Sequence, residues 1–365
     1  MIRTAVVVGR NRAPRRLRPR WAALLALLLL AGCQRASETE IGFAGSAASN
    51  PVAAADAPAR FTTSEFIATD GAHLPLRHWL PADGVKAVIL ALHGFGDYGN
   101  AFEAPAQLWA ARGIATYAFD QRGFGGAPGR GLWAGEGWLT LDAVTASRIL
   151  RRLYPGRPLY ILGESMGGAV AVLAATGAAG GTAAEPDGVI LSAPALWGRA
   201  TMGLLPRIAL FAGVRLFPDM ILTGQGLHIR ASDNIPMLKA LAKDPMVLKE
   251  ARVDTVYGLV DMMDAALAAA PRLTAPTLFM YGAHDEVIPR PPIEDFVAHL
   301  PPDPGHVRRL AYYPEGYHML LRDLDGATVA GDVASWILDR GARLPSRADA
   351  AESAQPWPPP PDSNG

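Results

Sequence analysis

The 365-residue chain has one cysteine, Cys33. A single cysteine excludes a disulfide within the chain and the small stapled scaffolds that depend on them. It also leaves no other residue to act as a structural or catalytic thiol. Lysine is scarce, with four in the whole chain. Formal net charge is zero, yet residues 1–32 hold seven arginines and no acid, which leaves 27 basic against 34 acidic residues, a net of −7, for the remainder. A mildly acidic body poor in lysine argues against nucleic acid as a partner. The apolar run Trp21–Ala31 is about ten residues long, too short to span a bilayer, which takes about 20. No cluster has metal-ligand spacing and no glycine-rich loop is built to cradle phosphate, so the expected chemistry needs no cofactor. No internal repeat is visible.

The two ends differ from the middle. The arginine-rich start followed by the short apolar run reads as a secretory signal over residues 1–32. Leu30-Ala31-Gly32-Cys33 resembles the bacterial lipoprotein signal, which implies cleavage before Cys33 and lipidation of that cysteine. Gln34 stands where an aspartate would favour the inner membrane. The expectation is a lipid-anchored protein of the cell envelope, on the outer membrane and facing the periplasm if the host is diderm. Residues 33–59, rich in Ala and Ser, read as a flexible spacer of about 25–30 Å root-mean-square reach. Residues 343–365 read as a Pro-rich tail unable to bury a core.

What fills the middle is an alternation of strand and helix signals. Half of all residues are apolar, enough for a sizeable core. Phe61–Ala68 and His73–Leu80 flank Asp70-Gly71, a hairpin signature. Lys86–Leu92 is a nearly continuous apolar run, as in a parallel strand buried on both faces. Further strands are expected at Ile114–Phe119, Val189–Ser192, Thr277–Tyr281 and Arg308–Tyr313. Helices are expected near Ala101–Arg112, Leu139–Leu153 and Val329–Arg340. The alternation implies an α/β fold over residues 60–342, a mostly parallel central sheet with helices on both faces. Residues 197–271 break the rhythm with a purely helical pattern, expected to form a lid over the C-terminal edge of the sheet.

The chemistry centres on Gly163-Glu164-Ser165-Met166-Gly167-Gly168. An apolar strand enters this Gly-x-Ser-x-Gly pattern and a small-residue helix leaves it, the sequence form of a nucleophile elbow. A serine hydroxyl needs a base, and the base an orienting acid. On such elbows the acid and then the histidine follow the serine in chain order. His318 lies just past the last strand, in a loop that can reach back over the sheet. His228 falls in the lid, His299 and His306 at the opposite edge, and His284 just before the acid. Asp285 sits four residues past the Thr277–Tyr281 strand; Glu286 and Asp120 are its rivals. Ser165, Asp285 and His318 are the expected triad. Backbone N–H groups of Met166 and Phe95 are the expected oxyanion donors, with His93 bracing the loop that carries Phe95.

Together, His93-Gly94-Phe95-Gly96-Asp97, Asp120-Gln121-Arg122-Gly123-Phe124-Gly125, the Ser165 elbow, Tyr281-Gly282-Ala283-His284-Asp285 and Gly316-Tyr317-His318 resemble the monoacylglycerol lipase and lysophospholipase group. The resemblance covers about residues 61–342 and includes Asp244-Pro245-Met246, read as a helix start. That group belongs to the α/β-hydrolases and carries the serine aminopeptidase S33 label. The resemblance implies a serine hydrolase acting on small lipid esters through an acyl-enzyme. Two alternatives stay open: an aminopeptidase, which would need lid acids such as Asp219, Asp233, Asp244 or Glu250 to hold an α-ammonium, and a non-catalytic binding module. Animal members usually carry His before the nucleophile, where this chain has Glu164. Acyl length, head group and oligomeric state are not legible.

Overall fold

The structure, a computed structural model, describes residues 58–224, 226, 229–303, 305, 308–351 and 357–359. The signal segment, Cys33 and the spacer through residue 57 lie outside the described residues, as do His228, His306 and residues 352–356 and 360–365.

The described chain opens with three antiparallel strands, β1 (Arg60–Phe61), β2 (Glu65–Ile67) and β3 (His73–Trp79). The turn between β2 and β3 is the Asp70-Gly71 hairpin, with Gly71 at φ +81° and the Ala72 N–H donating to Asp70 Oδ1 at 3.1 Å. Then come β4 (Ala87–Leu92), β5 (Ile114–Phe119), β6 (Leu159–Glu164) and β7 (Gly188–Ser192), buried at every position. Two short strands, β8 (Ile221–Thr223) and β9 (Glu250–Arg252), precede β10 (Thr277–Gly282) and β11 (Arg309–Tyr313). The main sheet runs in the order β1-β2-β3-β5-β4-β6-β7-β10-β11 and is parallel from β5 to β11.

Alternation along each buried strand divides the core in two. Val88, Leu90 and Leu92 of β4 join one apolar layer, while Ile89 and Ala91 join the other. The first layer is closed by α2 (Glu136–Leu153) and α3 (Met166–Thr176). The second is closed by α1 (Glu103–Ala110) and, near the C-terminus, the helix Gly326–Leu338. Trp109 of α1 is fully buried and donates its indole N–H to the Ala330 carbonyl at 2.9 Å, fastening those two helices together. This is the mostly parallel α/β sheet expected from the alternation, in the α/β-hydrolase architecture that the resemblance implies.

Between β7 and β10 the structure departs from expectation. The segment holds α4 (Leu204–Leu216), α5 (Ile235–Lys243) and α6 (Val253–Ala269). It also holds β8 and β9, which pair antiparallel from Ile221 opposite Arg252 to Thr223 opposite Glu250. Three-residue strands carry too little pattern to be read from the sequence. α6 is not lid. Its Met262, Ala266 and Ala269 are fully buried in the first apolar layer, against α3. The excursion therefore ends near residue 252 rather than 271. Asp244 ends α5 rather than starting a helix, and Asn234 caps that helix by accepting from the Met237 N–H at 3.2 Å.

The tail read from residue 343 is also corrected where it is described. β11 is a sheet edge, and an edge needs cover. The turn Ala348–Ala351 packs against it, with Leu344 1% and Ala348 9% exposed. Farther on, Trp357 is 2% exposed and meets Phe279 edge-on at 5.5 Å, while the Arg290 guanidinium donates to the carbonyls of Pro358 and Pro359. The Pro-rich composition hides one large apolar anchor. Trp357→Ala should lower the unfolding free energy by about 3 kcal/mol, read as a shift of the urea midpoint at constant slope. An unchanged midpoint would mean that this anchor carries no stability.

Candidate active site

The elbow is built by close approach of backbone. A Cβ at Gly163 would overlap the Gly167 carbonyl, and one at Gly167 would overlap the carbonyl of Leu92. With side chains removed there, β6 turns into α3 within one residue. Ser165 takes φ +52°, ψ −118°, a conformation that strains any residue bearing a Cβ. The geometry is held by hydrogen bonds on both sides: the Ser165 N–H donates to Ser192 O at 3.0 Å, and Ser165 O accepts from Ala195 N at 2.8 Å. Met166 is the first residue of α3, where a helix N–H has no intrahelical acceptor.

The loop after β4 lies against the serine. A Cβ at Gly94 would stand 3.2 Å from Ser165 Cβ and 3.8 Å from its Oγ, so the path of Phe95 passes beside the hydroxyl. His93 braces this loop. Its Nε2 accepts from the Gln121 N–H at 2.9 Å, which leaves the proton on Nδ1 to donate to Gly94 O at 2.8 Å. The Gln121 side chain closes the ring by donating to His93 O at 2.8 Å. Complete burial pushes the His93 pKa down, so it stands neutral.

Asp285 and His318 meet. His318 Nδ1 lies 2.9 Å from Asp285 Oδ2, and the Asp285 side chain is wholly buried. Its other oxygen accepts from the N–H groups of Val287 and Ile288 at 2.8 and 2.9 Å. Burial pulls the His318 pKa down, but the charge and hydrogen bond of Asp285, with help from Glu164, prevail and raise it. The rivals are engaged elsewhere. Glu286 is exposed and accepts from the Arg230 N–H at 2.8 Å. Asp120 is buried by Arg77 at 2.8 Å and by the N–H groups of Gly99 and Gly126. His284 stacks on Tyr317 with ring centroids 5.1 Å apart.

One group at the site is absent from the sequence reading. Arg322, four residues past His318, sets its guanidinium 2.7 Å from Asp97 Oδ2 and 2.6 Å from Glu164 Oε1. Its side chain is 9% exposed. Nothing local marks it, because its partners lie far away in the chain. The excursion reaches the site at both ends of α5. On one side, Ala231 O accepts from Met319 N at 3.0 Å and Ser232 Oγ donates to Asp323 Oδ1 at 2.6 Å. On the other, Leu248 N donates to Gly96 O at 2.7 Å and the Tyr98 hydroxyl donates to Asp244 at 2.8 Å. Partial burial and the Asp244 carboxylate push the Tyr98 pKa up to about 12. A cavity of about 520 Å³ beside Arg322 is lined by Asp97, Met237 and Leu241 but not by Ser165 or His318, so no acyl chain is assigned to it. Among the described residues no three His, Cys, Asp or Glu side chains are grouped to hold a metal ion.

A serine on a strand-turn-helix elbow and a buried His–Asp pair, both carried by this sheet, define the α/β-hydrolase class. The family model described as serine aminopeptidase, S33 matches residues 83–325, and the chain belongs to that family. It is 28% identical to the monoacylglycerol lipase of Mycolicibacterium smegmatis over 281 residues, 75% of this chain and 95% of that protein. It is 25% identical to the monoglyceride lipase of Homo sapiens, over 75% of this chain and 89% of that one. Among solved structures, a soluble variant of the Saccharomyces cerevisiae monoglyceride lipase with a substrate analog superposes at TM-score 0.63. It is 24% identical, covering 78% of this chain and 99% of its own.

The bracing of the Phe95 loop can be tested directly. His93→Ala leaves the buried Gln121 N–H without its acceptor and takes one of two donors from Gly94 O, the other being the Asp97 N–H, and should destabilise the fold by about 1–3 kcal/mol. Urea unfolding reads this. Full stability in the variant would remove the bracing role.

Proposed function

We propose that the chain hydrolyses esters of single-chain lipids, of the monoacylglycerol or lysophospholipid type, through an acyl-enzyme on Ser165. The enzyme is a carboxylic-ester hydrolase. The observation that carries this reading is the buried His318–Asp285 contact of 2.9 Å, on a loop tied through Arg322 to the residue before Ser165. In this scheme His318 Nε2 takes the Ser165 proton as Oγ attacks the ester carbonyl, and Asp285 stabilises the imidazolium. The N–H groups of Phe95 and Met166 receive the oxyanion. Collapse expels the alcohol, which takes its proton from His318, and water then releases the fatty acid by the same route.

The relatives named as monoacylglycerol lipases support a lipid substrate, and so does α4. No residue of α4 is buried; Leu204, Leu205, Ile208 and Phe211 are 68, 66, 54 and 55% exposed. An apolar face of this kind marks contact with something greasy. Two of the four acids named for an aminopeptidase are engaged in holding the fold: Asp244 by Tyr98 and the Met246 N–H, Asp233 by the Leu324 N–H. Ser165→Ala should abolish turnover and fluorophosphonate labelling. Asp285→Asn should lower kcat by several powers of ten, whereas Glu286→Gln should change it little. A panel of p-nitrophenyl esters, monoacylglycerols, lysophospholipids and aminoacyl-p-nitroanilides checks the class, and cleavage of the anilides alone would overturn it.

The same proposal includes export and anchoring. The arginine-rich start, the short apolar run and Leu30-Ala31-Gly32-Cys33 support cleavage before Cys33 and its lipidation, with outer-membrane placement in a diderm host. Several acyl chains on one residue give stable attachment where a single chain does not. Cys33→Ser should release the protein from membranes. Mass spectrometry of the mature N-terminus decides it, an unmodified Cys33 or cleavage elsewhere being the contrary result.

A further inference from the structure

The Arg322 cluster is costly and unusual in composition. Two carboxylates share one guanidinium, leaving a net negative charge with side-chain exposures of 9, 8 and 3% for Arg322, Asp97 and Glu164. Among the described residues, Glu164 Oε2 and Arg322 Nε have no hydrogen-bond partner. Buried ion pairs of this kind rarely stabilise a fold more than apolar residues of equal volume would, whereas a guanidinium forked between two carboxylates fixes geometry closely.

What the fork connects is informative. Asp97 closes the turn that carries Phe95, its own N–H donating to Gly94 O at 3.2 Å. Glu164 is the residue before Ser165. Arg322 belongs to the loop of His318, its N–H donating to Met319 O at 2.7 Å. We propose that Arg322 is the positioning residue of this site, a single group that sets the oxyanion loop, the nucleophile elbow and the histidine loop in one mutual geometry. This rests on the assignment of Ser165 and His318 given above. The fork acts from behind the reacting atoms, so its loss degrades the transition state more than substrate capture.

The cluster also sets a charge balance at His318. The charges acting on that imidazole are those of Asp285, Glu164 and Arg322; Asp97 is paired with Arg322, Asp323 accepts from the Tyr317 N–H, Arg230 lies over the Tyr317 ring at 4.9 Å, and His93 stays neutral. Glu164 raises the His318 pKa and Arg322 lowers it. The base works only when neutral, so activity falls as pH drops through that pKa. Removing the Glu164 charge therefore moves the acid limb to lower pH.

The experiment uses the full chain and p-nitrophenyl butyrate, with kcat and KM measured from pH 5 to 9 and thermal unfolding measured in parallel. Arg322→Lys keeps the charge but not the fork. It should lower kcat about 10–100-fold with KM within about threefold and the melting temperature nearly unchanged. Glu164→Gln keeps the shape and should shift the acid limb of kcat/KM to lower pH. A folded Arg322→Lys with kcat within twofold of the parent overturns the proposal, as does an unmoved limb in Glu164→Gln. If Arg322→Lys does not fold, Asp97→Asn, which removes one charged arm of the fork, decides in its place: kcat should fall with KM little changed, and an unchanged kcat overturns the proposal. Ser165→Ala, run alongside, separates the two levels: turnover surviving in it refutes the underlying assignment, while an inactive Ser165→Ala beside a fully active Arg322→Lys refutes only the positioning role.

Discussion

Backbone packed directly on backbone governs this molecule. β4 and β6 are neighbours, and at their C-terminal ends the Leu92 carbonyl faces Gly167 with no space for a methyl group between them. Because that contact is closed, α3 starts immediately at the end of β6, Ser165 is lifted into a conformation it would not choose, and Gly94 is pressed onto its side chain. The strain is local, and it is held by hydrogen bonds to Ser192, at the end of β7, and to Ala195 just beyond it. Loosening that contact would relax the serine and separate it from the loop that carries Phe95.

Around this contact the protein places ions in graded environments. Asp285 is wholly buried but satisfied by two backbone N–H groups and one imidazole. His93 is equally buried and kept neutral, so it can accept from one neighbour and donate to another. Farther out, Arg122 links Asp70 at the hairpin turn to Asp142 inside α2, fastening the antiparallel start of the chain to the parallel body. Similar residue types thus serve as base partner, brace and clamp, and burial together with hydrogen-bond supply separates the roles.

Much of this was legible in the sequence, for identifiable reasons. Ile114–Phe119 coincides with β5, and Lys86–Leu92 differs from β4 by one residue, because a strand buried on both faces leaves an unbroken apolar run. The elbow was legible because only glycine fits its two contacts. Where the reading failed, the signal was non-local. α6 carries the same helical periodicity as lid helices, and periodicity cannot say what a helix packs against. Trp357 sits among prolines, so composition concealed a core residue. Arg322 had no local mark, since Glu164 stands 158 positions away in the chain. Pairings across such separations are made by topology, and one sequence alone does not contain them.

The excursion over the site has two unlike parts, and this bears on how the enzyme can change over evolutionary time. Residues 230–248 are hydrogen-bonded to the loops of His318 and of Phe95 at either end of α5, so a substitution there perturbs the reacting centre. No residue of α4 is fully buried: Leu210 packs against the core and the helix rests on α6, while Leu204, Leu205, Ile208 and Phe211 face outward. Its outward side chains are held by little packing and tolerate substitution more readily. Over generations, drift therefore falls more easily on the outward face of α4, while the α5 half stays tied to the chemistry.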